Sequence, residues 1–318
     1  MDDLEGSRGI AFLNGKSGTL RGLDMEEMGR RIHDRFARRG CAMEIVRLDR
    51  LDEDARLVVE RERPDLVLCA GGDGSTSALA EAAHHTGAIL AVLPGGTMNL
   101  YAQTLGVPLD VEEAIDAIAE APIAKADLAF ANDRPFVNQY TLGFQPVASR
   151  LRERMQYASR WGKMWATTRA LTQVAFAPPR FRLRLTLDGK DRGELYLSNL
   201  SVSNNCLGEG HMPFADRCDE GVLGIYTTDP VSTTATAKLL MDVAVGRWAQ
   251  NPAVTSLTAR RATVELTKAP RSRRATSDGE LVALENRIEF RIEPAALSVL
   301  LPAGNRRVAA GAEEKNAA

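Results

Sequence analysis

An α/β domain with a mostly parallel sheet, followed by a β-sandwich domain, is the fold class that the sequence predicts. Strand and helix signals alternate through residue 128, the grammar of a parallel sheet covered by helices. From residue 129 short period-two strands with Asp-Gly turns take over, which argues an antiparallel sandwich or barrel. Three glycine-rich turns, NGKSG, GGDGS and PGGTMN, all fall at predicted strand ends in the first half. Ligands of open parallel sheets sit beyond those ends.

The elements follow in order. Gly9 to Leu13 reads as a buried strand, Met25 to Arg39 as a polar helix ending at Gly40, and Ala42 to Leu48 as a second strand. Leu51 to Arg63 forms a helix that stops before Pro64. The apolar run Leu66 to Ala70 leads into the glycines, with Ser75 or Thr76 expected to cap a helix carrying Leu79, Ala82 and Ala83. Ile89 to Leu93 is the next strand. After it, Met98, Tyr101, Ala102 and Leu105 share one helical face, which predicts that all four are buried. Gly106 and Pro108 end that short helix. In the second half, strands are expected at Phe181 to Leu187, Leu195 to Val202, Val222 to Thr228, Ala262 to Leu266, Leu281 to Leu284 and Arg287 to Ile292. One helix, Ala235 to Val245, interrupts them, and Asp188-Gly189 and Asp278-Gly279 mark hairpins. The expected domains are residues 1–128, completed by 296–308, and residues 129–295, with a disordered tail over 309–318.

Composition narrows the function. With 318 residues, 44% apolar, 26% charged and a formal net charge of −2, the chain reads as soluble and gives no reason to expect nucleic-acid binding. The acidic start lacks a signal-peptide pattern, and no apolar run approaches the ~20 residues of a membrane span. A cytoplasmic protein is expected, free or at the inner membrane surface. Cys41, Cys69, Cys206 and Cys218 show no metal-ligand spacing and read as reduced thiols. No GxSxG or HExxH pattern supports hydrolase or zinc protease chemistry. His84 and His85 read as an ordinary helix end.

The stretch CAGGDGSTSALAEAA, residues 69–83, carries the chemistry. A glycine turn lets backbone approach a ligand, and the helix behind it attracts phosphate. Asp73 in that turn repels phosphate unless a cation stands between them, which points to a metal–nucleotide site. Thr97 and Asn99 aim hydrogen-bonding groups at the second turn, and Asn14, Lys16 and Ser17 lie at the first strand end. The last motif is not a Walker A loop, because GxxxxGK[ST] is absent.

GGDGS, PGGTMN, NGKSG and SDGE (277–280) together resemble the diacylglycerol/sphingoid lipid kinase family, over nearly the whole chain. The resemblance implies an ATP-binding α/β domain, a β-sandwich domain and an active site in the cleft between them. Transfer of the ATP γ-phosphoryl group to a lipid hydroxyl is the implied chemistry. Carried over, it assigns Gly72, Asp73, Gly74, Ser75, Thr76, Asn14, Lys16, Ser17, Thr97, Asn99 and Glu280 to the nucleotide. Asp73 and Asp127 would organise Mg²⁺, and Asp278 would be the base for the substrate hydroxyl. The loop RCDEGVL (217–223) resembles a structural magnesium loop, with the Glu220 carboxylate and the Arg217 and Val222 carbonyls as ligands. Departures from the family pattern stand at Gly15, Asp49, Ser77-Ala78 and Leu100.

Residues 150–184 carry nine Lys/Arg against one acid, Glu153, with Trp161, Met164, Trp165, Thr168 and Leu171 on one helical face. A basic helix with tryptophans is suited to an anionic bilayer surface, so peripheral membrane contact is expected there. A packed helix with a solvated basic face explains the same pattern. Two other functions stay open: a kinase for a soluble substrate such as NAD or a sugar phosphate, and a weakly active lipid-binding regulator. Diacylglycerol, sphingoid base and ceramide are not separable from one sequence, and homodimerisation is left open.

Overall fold

The computed structural model describes residues 4–48, 53–144, 178–209, 214–229, 232–270 and 273–303. The chain divides into two compact units, one of residues 1–126, 217–219 and 295–318, the other of 127–216 and 220–294.

The first unit is the α/β unit. Its strands β1 (Arg8–Asn14), β2 (Ala42–Leu48), β3 (Leu66–Gly71) and β4 (Ile89–Pro94) pair in parallel in the order β2-β1-β3-β4. Helices α1 (Met25–Ala37), α2 (Glu53–Glu62), α3 (Asp73–Thr86), α4 (Leu100–Thr104) and α5 (Val111–Glu120) connect and follow them. Every residue of β3 is buried, as a strand covered on both faces requires. Asp24 caps α1 by accepting from Glu26 N and Glu27 N, and Asp110 caps α5 in the same way. Gly87, at φ 79°, closes α3 in the left-handed conformation.

Two expectations about this unit change. Helix α3 begins at Asp73, not at Thr76, and neither Ser75 nor Thr76 caps it. Thr76 turns its hydroxyl back to Gly72 O at 3.1 Å from inside the first turn. In the next turn Tyr101, Ala102 and Leu105 are buried but Met98 is 43% exposed. The helix starts only at Leu100, so Met98 precedes the helical spacing that would have turned it inward.

The boundary between the units falls within β5 (Ile123–Ala131) and within β16 (Arg287–Leu300). The second unit holds β6 (Arg134–Phe136), β7 (Gln139–Leu142), β8 (Phe181–Leu187), β9 (Lys190–Leu197) and β10 (Asn199–Asn204). It continues through β11 (Leu223–Thr228), α6 (Thr233–Ala244), β12 (Val254–Ala259), β13 (Arg261–Lys268), β14 (Arg274–Ser277) and β15 (Glu280–Ala283). One antiparallel sheet orders as β16-β13-β8-β9, and a second as β12-β11-β10-β7-β14-β15. Residues from both, including Tyr140, Leu142, Leu183, Leu200, Val202 and Phe290, fill a common core. Tyr140 meets Phe290 edge-on at 5.3 Å between ring centres. Both Asp-Gly pairs are hairpin turns with positive φ, Asp188 and Gly189 at 47° and 78°, Asp278 and Gly279 at 47° and 88°.

The expected strand Leu195 to Val202 is two strands. Chain breaks pairing at Ser198, whose N–H donates to Thr228 O, so β9 stays with β8 while β10 joins β7 and β11. β16 runs to Leu300, beyond the expected end at Ile292, and Val299 pairs in parallel with Leu90. Residues 145–177, including most of the basic tryptophan stretch, and the tail from 309 lie outside the described residues. Of that basic stretch, Arg182 and Arg184 stand on β8, not on a helix, and each faces an acid on β9, Glu194 and Asp191. No helix among the described residues is long and apolar enough to cross a membrane.

Candidate functional site

The three glycine turns of the α/β unit come together. β3 ends at Gly71 and β4 at Pro94, and their turns touch backbone to backbone. A Cβ on Gly95 would lie 2.8 Å from Gly71 Cα, and one on Gly96 2.7 Å from Gly72 Cα, so no other residue fits either place without moving main chain. Gly95 N donates to Gly71 O at 2.9 Å. The first turn joins them: Ser17 Oγ donates to Gly95 O at 2.6 Å, Thr19 N to the same oxygen at 3.0 Å, and Thr19 Oγ to Gly96 O at 2.7 Å. Thr19 was not among the expected site residues. Its only sequence signal is its place two residues after Ser17.

Asn14 turns its side-chain oxygen to Lys16 N at 3.1 Å, which shapes the first turn and leaves Lys16 exposed at it. Asn99 is buried at φ 51° and bridges its own turn, accepting from Gly96 N at 2.7 Å and donating to Gly96 O at 3.1 Å. Thr97 is exposed beside it. Asp73 is half-buried at the first position of α3, and its Oδ1 accepts from Tyr101 N at 3.3 Å. Gly72 offers no side-chain cap to α3, so the first-turn N–H groups around Gly74 and Ser75 receive no side-chain acceptor from the cap position. Behind the turn Cys69 Sγ lies 3.7 Å from Thr76 Oγ, and burial pushes that thiol up to about 12.

The second unit holds the other expected residues except Arg217, which belongs to the first. Asp278, 6% exposed, accepts three consecutive backbone N–H groups: Val137 at 2.8 Å on one oxygen, Asn138 and Gln139 at 2.8 and 3.0 Å on the other. Its own N–H donates to Gln139 O at 2.9 Å. The carboxylate is thus a clamp between the β14–β15 hairpin and the start of β7. Glu280 is exposed at the first position of β15. Asp127 is 2% exposed and accepts from Gly221 N at 2.6 Å, while its carbonyl accepts from Asn204 Nδ2 at 3.0 Å. Glu220 accepts from Cys206 N at 2.7 Å and donates its own N–H to Asn205 Oδ1 at 3.0 Å. Val222 follows at the start of the turn into β11, and Arg217 pairs with Asp219 at 2.9 Å. Among the described residues no three His, Cys, Asp or Glu side chains converge as a metal cage. Asn204, Asn205 and Gln139 were missed, because ordinary strand residues give no local signal of such bonds.

Fold and turns define a class: an α/β unit with a glycine-turn ligand edge, joined to an antiparallel β-sandwich unit. Comparison with known proteins agrees. Residues 8–131 match the diacylglycerol kinase catalytic domain, and residues 140–301 match the YegS C-terminal NAD kinase beta sandwich-like domain. A diacylglycerol kinase of Staphylococcus aureus is 36% identical over 92 residues, 27% of this chain and 29% of that one. An uncharacterised Synechocystis protein is 23% identical over 252 residues, covering 77% of this chain and 56% of that one. The chain thus spans 56% of the length of one of these curated relatives and 29% of the other. A solved structure of a diacylglycerol kinase from Bacillus anthracis aligns with a TM-score of 0.68 at 18% identity, over 93% of this chain and 97% of that one, which shows the shared fold. The chain belongs to the diacylglycerol kinase family.

Proposed function

We propose that this protein is an ATP-dependent lipid kinase that transfers the γ-phosphoryl group to a hydroxyl of a membrane lipid, diacylglycerol or a sphingoid base or ceramide. The observation that carries the reading is the backbone contact of Gly71-Gly72 with Gly95-Gly96, latched by Ser17 and Thr19. Phosphoryl transfer needs alignment and charge neutralisation more than covalent chemistry. Bare backbone beside an uncapped helix start supplies N–H donors for phosphate. Lys16 adds a cation at the same edge, and Asn99 holds the second turn in shape.

Mg²⁺ in such sites takes one or two carboxylates plus phosphate oxygens and waters, so the donor chemistry of the half-buried Asp73 fits it without a cage of acids. When bound it would offset the phosphate charge. The loop at Glu220, with backbone carbonyls of Arg217 and Val222, offers oxygens of the kind a second, structural Mg²⁺ takes. Asp278 is the proposed base for the lipid hydroxyl, and Glu280 a nucleotide contact. The three N–H groups on Asp278 fix the carboxylate in place and orientation. A carboxylate can accept the proton late in transfer, when the attacking oxygen has become acidic. Residues 150–184 are the proposed membrane contact. Label transfer from γ-labelled ATP over a panel of diacylglycerol, sphingosine, ceramide, NAD and sugar phosphates tests the reading. It expects label in a lipid and in neither soluble acceptor; label only in NAD or a sugar phosphate would overturn it.

A further inference from the structure

The six-stranded sheet of the second unit buries polar side chains where a solvent face is expected. Tyr140, Leu142, Leu200, Val202, Ile225 and Ala275 point into the sandwich core. Alternation puts their neighbours on the opposite face. The register lines them up across the strands: Thr276 opposite Thr141, Thr141 opposite Ser201, Ser201 opposite Tyr226. Polar residues on such a face usually meet water, but Thr276 is 0%, Thr141 4% and Ser201 7% exposed.

The hydrogen bonds of this row run in one direction. Ser201 Oγ donates to Gln139 Oε1 at 2.8 Å. A hydroxyl has one proton, so Thr141, 3.2 Å from Ser201 Oγ, must be the donor to it. The chain Thr141 to Ser201 to Gln139 ends on the amide of half-buried Gln139, at the edge of the buried row. Thr276 Oγ is fully buried with no hydrogen-bond partner among the described residues. The Thr276 hydroxyl is therefore short of an acceptor, and an unmade bond at a buried group costs about 1–3 kcal/mol. The row contains no charged side chain; Arg274, two residues back on the same face, is exposed. A phosphate would want a cation there, and an ammonium would want acceptors.

We infer that Thr276, Thr141, Ser201 and Gln139 form a neutral subsite that receives an acyl carbonyl, ester or amide, of the lipid substrate. This rests on the lipid-kinase reading and deepens it, since diacylglycerol and ceramide carry such a carbonyl and a free sphingoid base does not. The place suits the role: Gln139, at the end of the row, donates its backbone N–H to the Asp278 carboxylate and accepts from the Asp278 N–H on its carbonyl.

Calorimetric binding of dispersed dioctanoylglycerol and of its dioctyl ether, which lacks both carbonyls, tests this without turnover. The wild-type chain should prefer the ester by about five- to tenfold, the worth of one net hydrogen bond. Thr276→Val should erase the preference while its melting temperature holds or rises, because an unsatisfied hydroxyl has been removed. Thr276→Ser should keep it, and Gln139→Met should reduce it should the valine variant fail to fold. Equal binding of ester and ether by the wild-type chain, binding of neither, or an unchanged preference in folded Thr276→Val overturns the subsite. Ester preference with no label transfer from ATP to any lipid would leave the subsite standing and remove the kinase reading instead.

Discussion

A single carboxylate, Asp278, shows how a residue's role depends on partners far away in sequence. Its turn was legible, because Asp-Gly between two strands makes a hairpin. Its three backbone donors, at 137–139, lie about 140 residues away, and no local pattern announces them. Asp278→Asn removes the charge and points an amide N–H₂ toward donors. It should therefore destabilise the fold by about 2–3 kcal/mol, the cost of losing hydrogen bonds to a charged group, read as a denaturation midpoint. Turnover must then be compared where both proteins are folded; loss there of ~10²–10⁴ supports the base role, and wild-type turnover leaves Asp278 a clamp alone. Cys69 gives a pH signature of the same scale. Burial favours its neutral thiol, raising it from 9.0 to about 12. That stabilisation is complete below the ordinary thiol range and is lost as pH rises through it. The melting temperature should fall between pH 9 and 11, and Cys69→Ala should flatten the fall; an identical slope in both proteins would refute the assignment.

Elements read well where periodicity is regular and poorly where tertiary pairing overrides it. β8 runs from Phe181 to Leu187, as its strict alternation dictates. The break at Ser198 leaves only a one-residue slip in the apolar phase, from Leu195 and Leu197 to Leu200 and Val202, and the strands on either side pair in different sheets. The start of α3 was misplaced for another reason: Ser75 and Thr76 look like caps, but the chain enters helix directly after the extended Gly72, three residues sooner. The glycine turns were legible as turns at strand ends, and their mutual packing was not, because one glycine reads like another until backbones meet. Gly96→Ala tests that packing. A Cβ 2.7 Å from Gly72 Cα forces main chain apart, so the variant should lose nucleotide affinity by at least tenfold and lower the melting temperature. Alanine at Gly189, where no atom lies within 4 Å, should cost only the strain of its positive φ and leave nucleotide affinity unchanged.

At the scale of the molecule, the order of signals announced both units, an alternating first half and a β-rich second half, because each class of sheet imposes its own spacing. Return of the chain from 295 into the first unit was foreshadowed only by the apolar Leu297 to Leu300. The central claim is that three separate turns, NGKSG, GGDGS and PGGTMN, form one nucleotide site in the α/β unit. It is tested most directly by titrating Mg–ATP into the full chain and into Asp73→Asn by calorimetry. The wild-type chain should bind, and bind more weakly when Mg²⁺ is withheld. Asp73→Asn should bind Mg–ATP more weakly and lose most of that metal dependence. No binding of ATP by the folded wild-type chain, or equal affinity and equal Mg²⁺ dependence in the two proteins, would contradict it.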